Sequence, residues 1–200
     1  MMPAELLIEA PLGPPVGLGA YRVEDYDRLP EQPRCELLLG RLYVSPGPSP
    51  EHQSVSGVVS RYLDRVVEPL GGRVYTAPLD VVLAEHSVVQ PDVFFISASR
   101  LGIVQQRVMG APDLVVEILS PSTVRRDRGE KLNLYAQFGV REYWLVDSPA
   151  RQIEFLINEG GRFMVAQPAG IEYRSPAFSD IRLDLAAFWS NVESQLLPKR

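Results

Sequence analysis

The chain has a single cysteine, Cys35, and two histidines, His52 and His86, that are far apart in sequence. One thiol builds neither an internal disulfide framework nor a cysteine zinc cluster, and two separated imidazoles give a transition-metal cage little support. Cys35 is therefore expected to pack as a small residue rather than act as a nucleophile, and a reducing cytoplasm suits such a chain. No Lys or Arg precedes Arg22, and Glu5, Glu9 and several prolines interrupt the apolar residues of the N-terminal segment. That pattern is not a signal peptide. No apolar run approaches the roughly 20 residues needed to span a bilayer, so no membrane partner is expected. Positive charge is not in excess either: the formal net charge is -5 and the pI is near 5.1. This argues against a basic coat for tight nonspecific nucleic-acid binding, although a local basic strip can still steer a phosphate backbone.

What is present is the composition of an ordinary globular protein, 200 residues long with 46% hydrophobic and 22% charged residues, enough for one domain with a substantial core. Residues 1–20 read as a flexible N-terminal arm, because Pro11, Pro14 and Pro15 with Gly13, Gly17 and Gly19 disfavour both helix and sheet. Residues 21–200 read as a single domain. A short helix is expected over Arg22 to Leu29, and a hairpin or bent strand over Cys35 to Ser45 about Gly40. Val55, Val58, Val59, Tyr62, Leu63 and Val66 recur at helical spacing, predicting an amphipathic helix from Glu51 to Val67 that Pro69 and Gly71-Gly72 end.

Strands are expected at Arg73 to Thr76, Leu79 to Ala84, Asp92 to Ser97 and Leu114 to Leu119, the last two buried on both faces. A helix from about Asp127 to Phe138 follows, with Asp127 and Glu130 as a capping-box-like pair and Gly139 in the left-handed position after its end. Then come a strand at Glu142 to Val146, a hairpin of Ile153 to Ile157 and Arg162 to Val165 about Asn158-Glu-Gly-Gly161, and a closing helix at Leu185 to Val192. The fold class is α/β or α+β, a sheet with helices packed on it.

The chemistry centres on Glu117, a carboxylate inside the apolar run Leu114-Val-Val-Glu-Ile-Leu119. An ionised acid avoids such a position unless something pairs with it or coordinates it. Asp92 opens the preceding apolar strand, and if the two strands are neighbours their carboxylates can meet. Mg²⁺ is usually held by one or two carboxylates with waters and substrate phosphate, so this pair is a candidate metal site. The plainer alternative gives Glu117 an arginine partner such as Arg107 or Arg141 and makes Asp92 a turn cap. Lys131 is the candidate cation for phosphodiester chemistry, at the start of the predicted helix, with Arg125, Arg126 and Arg128 as a basic strip beside it. Its plainer alternative is an ion pair with Asp127 on a solvated helix. His52 reads as a capping or hydrogen-bonding residue at the start of the long helix. Ser120, Ser122 and Thr123 read as turn hydroxyls, and Tyr143 and Trp144 as core.

The run Gly110-Ala-Pro-Asp-Leu-Val-Val-Glu-Ile-Leu-Ser-Pro-Ser-Thr123, with Arg126-Asp127, Lys131-Leu132, Tyr135, Gly139-Val140 and Glu142-Tyr-Trp-Leu-Val-Asp147, resembles the Uma-type restriction-endonuclease family. Glu36-Leu-Leu-Leu-Gly40, Val44-Ser-Pro46, His52-Gln53 and Gln90-Pro-Asp-Val93 extend the resemblance over roughly Tyr21 to Leu185. It implies the PD-(D/E)XK nuclease superfamily, with a restriction-endonuclease-like central mixed β-sheet flanked by helices and a site using Mg²⁺, or Mn²⁺ in its place. By position it makes Asp92 and Glu117 metal ligands and catalytic acids, with the carbonyl of Ile118 and the upstream acid Glu36 as further ligands. Leu119 stands where the superfamily has its lysine, and the resemblance implies that Lys131 supplies that cation. Asp113, in the second Pro-Asp pair, is too far along the strand from Glu117 to share one ion, about 13 Å at strand rise.

The expected function is thus a metal-dependent endonuclease acting on DNA, with a homodimer as its expected assembly. Two other readings stay open: a noncatalytic protein that keeps the nuclease fold for binding or assembly, and a phosphoesterase of another substrate.

Overall fold

A computed structural model describes residues 18–196, so most of the arm expected over residues 1–20 lies outside the described residues. In chain order the elements are α1 (Val23–Tyr26), β1 (Cys35–Leu38), β2 (Arg41–Val44), α2 (Pro50–Val67), β3 (Arg73–Thr76), β4 (Val81–Ala84), β5 (Ser87–Val89), β6 (Val93–Ile96), β7 (Val108–Met109) and β8 (Leu114–Ile118). A helical segment follows as α3 (Val124–Arg126), a π-helical stretch Asp127–Lys131 and α4 (Leu132–Gln137). The chain then forms β9 (Glu142–Asp147), β10 (Gln152–Glu159), β11 (Arg162–Ala166), β12 (Glu172–Arg174), β13 (Arg182–Asp184) and α5 (Leu185–Gln195).

The central sheet has six strands in the order β11-β10-β9-β8-β6-β3. Only β8 and β9 run parallel, and the helical segment α3 to α4 is their crossover. A second, five-stranded sheet has the order β2-β1-β5-β4-β7, and β12 pairs with β13 in a separate ribbon. The expected mixed sheet flanked by helices is what the chain forms.

Alternation along each central strand sends side chains to opposite faces. Val93, Phe95, Leu114, Val116, Ile118, Trp144 and Val146 pack with α2 and α5 on one side. On the other, Phe94, Val115, Tyr143 and Leu145 pack with Leu134 and Tyr135 of α4 and with Leu38, Tyr43, Val81 and Val89 of the second sheet. The sheet therefore has no wet face at β8, where every residue is buried. Helix α2 begins as its sequence directs: Pro50 fills the first turn and the Ser49 hydroxyl accepts the His52 N–H at 3.1 Å. Its apolar stripe of Val55, Val58, Val59 and Leu63 lies on the sheet. Leu63 is wholly buried there, so Leu63→Ala should cost about 3 kcal/mol. Urea unfolding should show a lower midpoint with an unchanged slope.

Two expectations need correction. The Asp127 and Glu130 capping pair does not exist, because the helix starts upstream at Val124 and Asp127 turns inward, 2% exposed, toward Lys131. The ammonium only partly offsets the desolvation of that carboxylate. The basic strip is largely spent: Arg128 forks onto Glu154 at 2.9 and 2.5 Å, and Arg126 lies over the Tyr43 ring at 5.1 Å. Gly139 does take the left-handed conformation, at φ +83°. The strands β5, β7, β12 and β13 were not anticipated, and at two or three residues each they are too short to carry a periodicity.

Glu142 is another buried acid, met by neutral donors. Its carboxylate accepts the Trp144 indole N–H at 2.6 Å, the Tyr173 hydroxyl at 2.7 Å and the Ser175 hydroxyl. This ties β12 and the residue after it to the central sheet.

Candidate active site

The ladder between β6 and β8 sets Val93 opposite Val116. One step further, Asp92 stands opposite Glu117, at the end of the sheet where β8 leads into the turn before α3. The Asp92 backbone N–H lies 3.4 Å from Glu117 Oε2. Asp92 Oδ2 accepts the Ile118 N–H at 2.8 Å and contacts His52 Nε2 at 3.0 Å. The two acids that sequence placed on separate apolar strands are thus neighbours, joined through backbone.

Glu117 points from the sheet toward the crossover helix. Its Oε1 accepts from Lys131 Nζ at 2.9 Å and from the Tyr135 hydroxyl at 2.8 Å. The same ammonium lies 2.9 Å from Glu36 Oε1 on β1 and 3.7 Å from Asp127 Oδ1. Glu36 Oε1 also accepts the Gln90 N–H at 2.8 Å. Asp127 and Lys131 bound a π-helical stretch and are its two buried residues. Such local helix irregularities are frequent at functional sites.

Neither arginine considered for Glu117 reaches it. Arg107 forks onto Asp27 at 2.7 and 2.9 Å, and Arg141 donates to the Ala177 carbonyl at 2.6 Å. Asp113 is buried elsewhere, accepting the Ser97 N–H at 2.8 Å and facing Arg100 at 3.1 Å. Asp127 and Tyr135 belong to the cluster, although sequence reading gave Asp127 a cap or an ion pair with Lys131 and gave Tyr135 no part in the chemistry. The signal for Asp127 was its four-residue spacing from Lys131, one of only two lysines in the chain.

The electrostatics follow from burial. Desolvation pushes the Glu117 carboxyl well above the ordinary glutamate range against the pull of Lys131, and the charges of Asp92, Asp127 and Glu36 push it further. Asp127 is raised for the same first reason. Burial works against the Lys131 ammonium, but Glu117, Glu36 and Asp127 outweigh it, so the lysine is held well above its ordinary value. His52 is raised too: burial lowers it, and the hydrogen bond and charge of Asp92, the charge of Asp127 and the Ile118 backbone outweigh that. The cluster holds more acid than the one lysine balances, so it favours either a proton or another cation.

The donor set suits a hard divalent ion. Asp92 Oδ1 and Glu36 Oε2 accept no hydrogen bond among the described residues, and Glu117 Oε2 makes only its long contact. Among those residues no three His, Cys, Asp or Glu side chains form a ready metal cage. A Mg²⁺ site requires none, because two carboxylates, waters and a substrate phosphate suffice. A cleft of about 570 Å³ opens over the cluster, lined by Glu36, Asp92, Glu117, Ile118, Asp127 and Lys131 at its base and by Arg34, Arg61 and Ser120 to Thr123 above. The serines and Thr123 bond one another in the turn, with Ser120 Oγ 3.0 Å from both Ser122 Oγ and Thr123 Oγ1. Cys35 lies outside the cleft with its thiol raised by burial, as a packing residue should be.

No helix among the described residues is long and apolar enough to cross a membrane. A crystal structure described as that of a putative nuclease belonging to DUF820 from Anabaena variabilis ATCC 29413 is similar to this chain, with a TM-score of 0.73 at 20% identity, over 86% of this chain and 99% of that one. It shares the fold. No curated protein matches the chain. A family model described as "Uma2: Putative restriction endonuclease" matches residues 23–187, a span that holds the whole cluster from Glu36 to Lys131. The chain belongs to the Uma2 restriction-endonuclease-like family.

Proposed function

We propose that this protein is a metal-dependent endonuclease that hydrolyses DNA phosphodiester bonds in the cleft above Asp92 and Glu117. The observation that carries this reading is the juxtaposition of those two carboxylates across one strand pair, with the buried Lys131 ammonium 2.9 Å from Glu117. DNA as substrate comes from the family description. Asp92, Glu117 and the Ile118 carbonyl would hold Mg²⁺ or Mn²⁺, with Glu36 as a further ligand. When bound, such an ion polarises the phosphoryl oxygen and makes water a competent nucleophile at neutral pH.

The chain's own residues do the positioning. Ile118 N–H and His52 fix one oxygen of Asp92, leaving the other without a hydrogen bond from the described residues. Tyr135 and Lys131 fix one oxygen of Glu117. Because the Lys131 side chain is only 5% exposed and faces three carboxylates, its part is a fixed positive charge at the base of the cleft that offsets charge developing on the phosphate. A symmetric homodimer completes the proposal, since it offers two such clefts to the two strands of a duplex.

The direct test is cleavage of plasmid and single-stranded DNA by purified protein with and without Mg²⁺. Ion-dependent nicking or linearisation supports the reading. An inert protein that binds no Mg²⁺ by calorimetry would make it a noncatalytic member of its fold, and activity confined to small phosphoesters would reassign the substrate.

The raised Glu117 carboxyl gives a pH prediction. A carboxyl whose folded value is raised contributes stability that is full below the ordinary carboxylate range and is lost as pH rises through the raised value. An ion competes with that proton, so it binds better as pH rises. The increase in melting temperature on adding Mg²⁺ should therefore be larger at pH 8 than at pH 5. An equal increase at both would contradict Glu117 as a ligand.

A further inference from the structure

The base of the cleft is acidic and the chain carries a net charge of -5, so a polyanion approaching this site meets repulsion unless the rim supplies cations. Seven of the molecule's arginines are already engaged by acids. Arg22, Arg28, Arg100, Arg107, Arg128, Arg151 and Arg174 form ion pairs with Glu85, Asp25, Asp113, Asp27, Glu154, Glu193 and Glu172. The two arginines that line the cleft, Arg34 and Arg61, form none with the described residues, although the cleft-lining Glu51 is itself engaged by the Ser148 hydroxyl at 2.7 Å.

The two stand on different elements. Arg34 immediately precedes β1, where its carbonyl accepts the Ser45 N–H at 2.8 Å and so fixes the backbone beside the mouth of the cleft. Arg61 is on α2, which also lines the cleft with Glu51, His52, Gln53, Ser56, Gly57 and Ser60. Glycine is among the poorest helix formers, and here a Cβ on Gly57 would lie 3.1 Å from Arg61 Nη1. The guanidinium thus lies back along a helix face of small and polar residues while Arg61 stays exposed.

We propose that Arg34 and Arg61 are the phosphate clamp of this cleft, gripping the DNA backbone on either side of the phosphate that reaches Asp92 and Glu117. The proposal rests on the nuclease reading for its substrate, and commits to the sugar-phosphate chain as occupant. Guanidinium groups free of carboxylate partners are suited to forked hydrogen bonds with phosphate oxygens. Contacts of this kind carry affinity and salt dependence without reading sequence.

The test is fluorescence anisotropy with labelled duplex DNA in EDTA, where cleavage is silent, over a range of salt concentrations. Arg34→Ala and Arg61→Ala should each weaken binding about three- to tenfold, and each should reduce the steepness of log affinity against log salt by about 0.9. Arg34→Lys and Arg61→Lys should restore most of the slope. Arg65→Ala, on α2 but outside the cleft, should leave it unchanged. Circular dichroism confirms that each variant is folded. Wild-type slopes in both alanine variants, or an equal loss in Arg65→Ala, would overturn the clamp. A protein that binds DNA through these arginines yet never cuts would sink the nuclease reading alone, whereas one that cuts while both variants bind normally would sink only the clamp.

Discussion

Glu117→Gln should reduce Mg²⁺-dependent DNA cleavage by at least about 10³-fold, a loss of some 4 kcal/mol of transition-state stabilisation. The amide keeps the shape of the side chain and can still accept the hydrogen bonds of Tyr135 and Lys131, so position survives and only the charge and one coordinating oxygen are lost. The same substitution should not harm the fold. Glu117 is a carboxyl that burial and three neighbouring acids push well above its ordinary range, and a neutral isostere removes that penalty at any pH above it. Its melting temperature in the absence of Mg²⁺ should accordingly gain on that of the wild type as pH rises, while activity disappears, the usual sign of a charge kept for function at a cost in stability. Asp92→Ala should be equally inactive and should also lose Mg²⁺ binding by calorimetry, though without the gain in stability, because it strips Ile118 N–H and His52 of their partner. Cleavage within tenfold of wild type by either variant would remove the two acids from the site.

The amino-acid sequence spoke clearly wherever a periodicity or a punctuating residue was long enough to register. Helix α2 carries a stripe of five buried aliphatic residues with Pro and Ser at its start, and β8 carries an unbroken apolar run with one acid inside it. That one misfit residue was also the best pointer to function, because a buried carboxylate demands an explanation that a buried valine does not. What stayed hidden depended on register. Nothing local says that Asp92 pairs across from Glu117 rather than one step away, and only the observed ladder puts them opposite. Asp127 was legible as a partner of Lys131 at four-residue spacing, but that the pair is buried and not solvated depends on how the crossover packs, which local spacing does not give. Glu142 escaped notice because its partners Tyr173 and Ser175 come from a distant short strand and the residue after it.

Lys131→Met should be strongly destabilising. The side chain is 5% exposed and its ammonium sits 2.9 Å from Glu36 and from Glu117, with Asp127 at 3.7 Å. Removing one partner of a buried ion pair typically costs about 3–5 kcal/mol, because the remaining charge is left desolvated and alone. Here more than one acid is left, in a fold whose total stability is of the order of 5–15 kcal/mol. The pH dependence identifies the cause. The lysine's own value is raised, so its contribution in the wild type is full below the ordinary lysine range and is not lost until pH passes the raised value; between pH 5 and 8 it is constant. In the variant Glu117 loses the one neighbour that lowers it, and Asp127 loses the larger of its two, Thr123 being the other. Their folded values climb further, and the stability contributed by their protonated forms drains away as pH rises through them. The loss relative to wild type, measured by urea unfolding, should thus be several kcal/mol at pH 8 and markedly smaller at pH 5. Glu117→Gln added to Lys131→Met should recover part of it, since the double variant removes both members of the closest pair and a non-additive cycle reports their coupling. A small loss independent of pH, with additive effects in the double variant, would mean that the lysine is held by packing alone and that the acids around it are neutral without it.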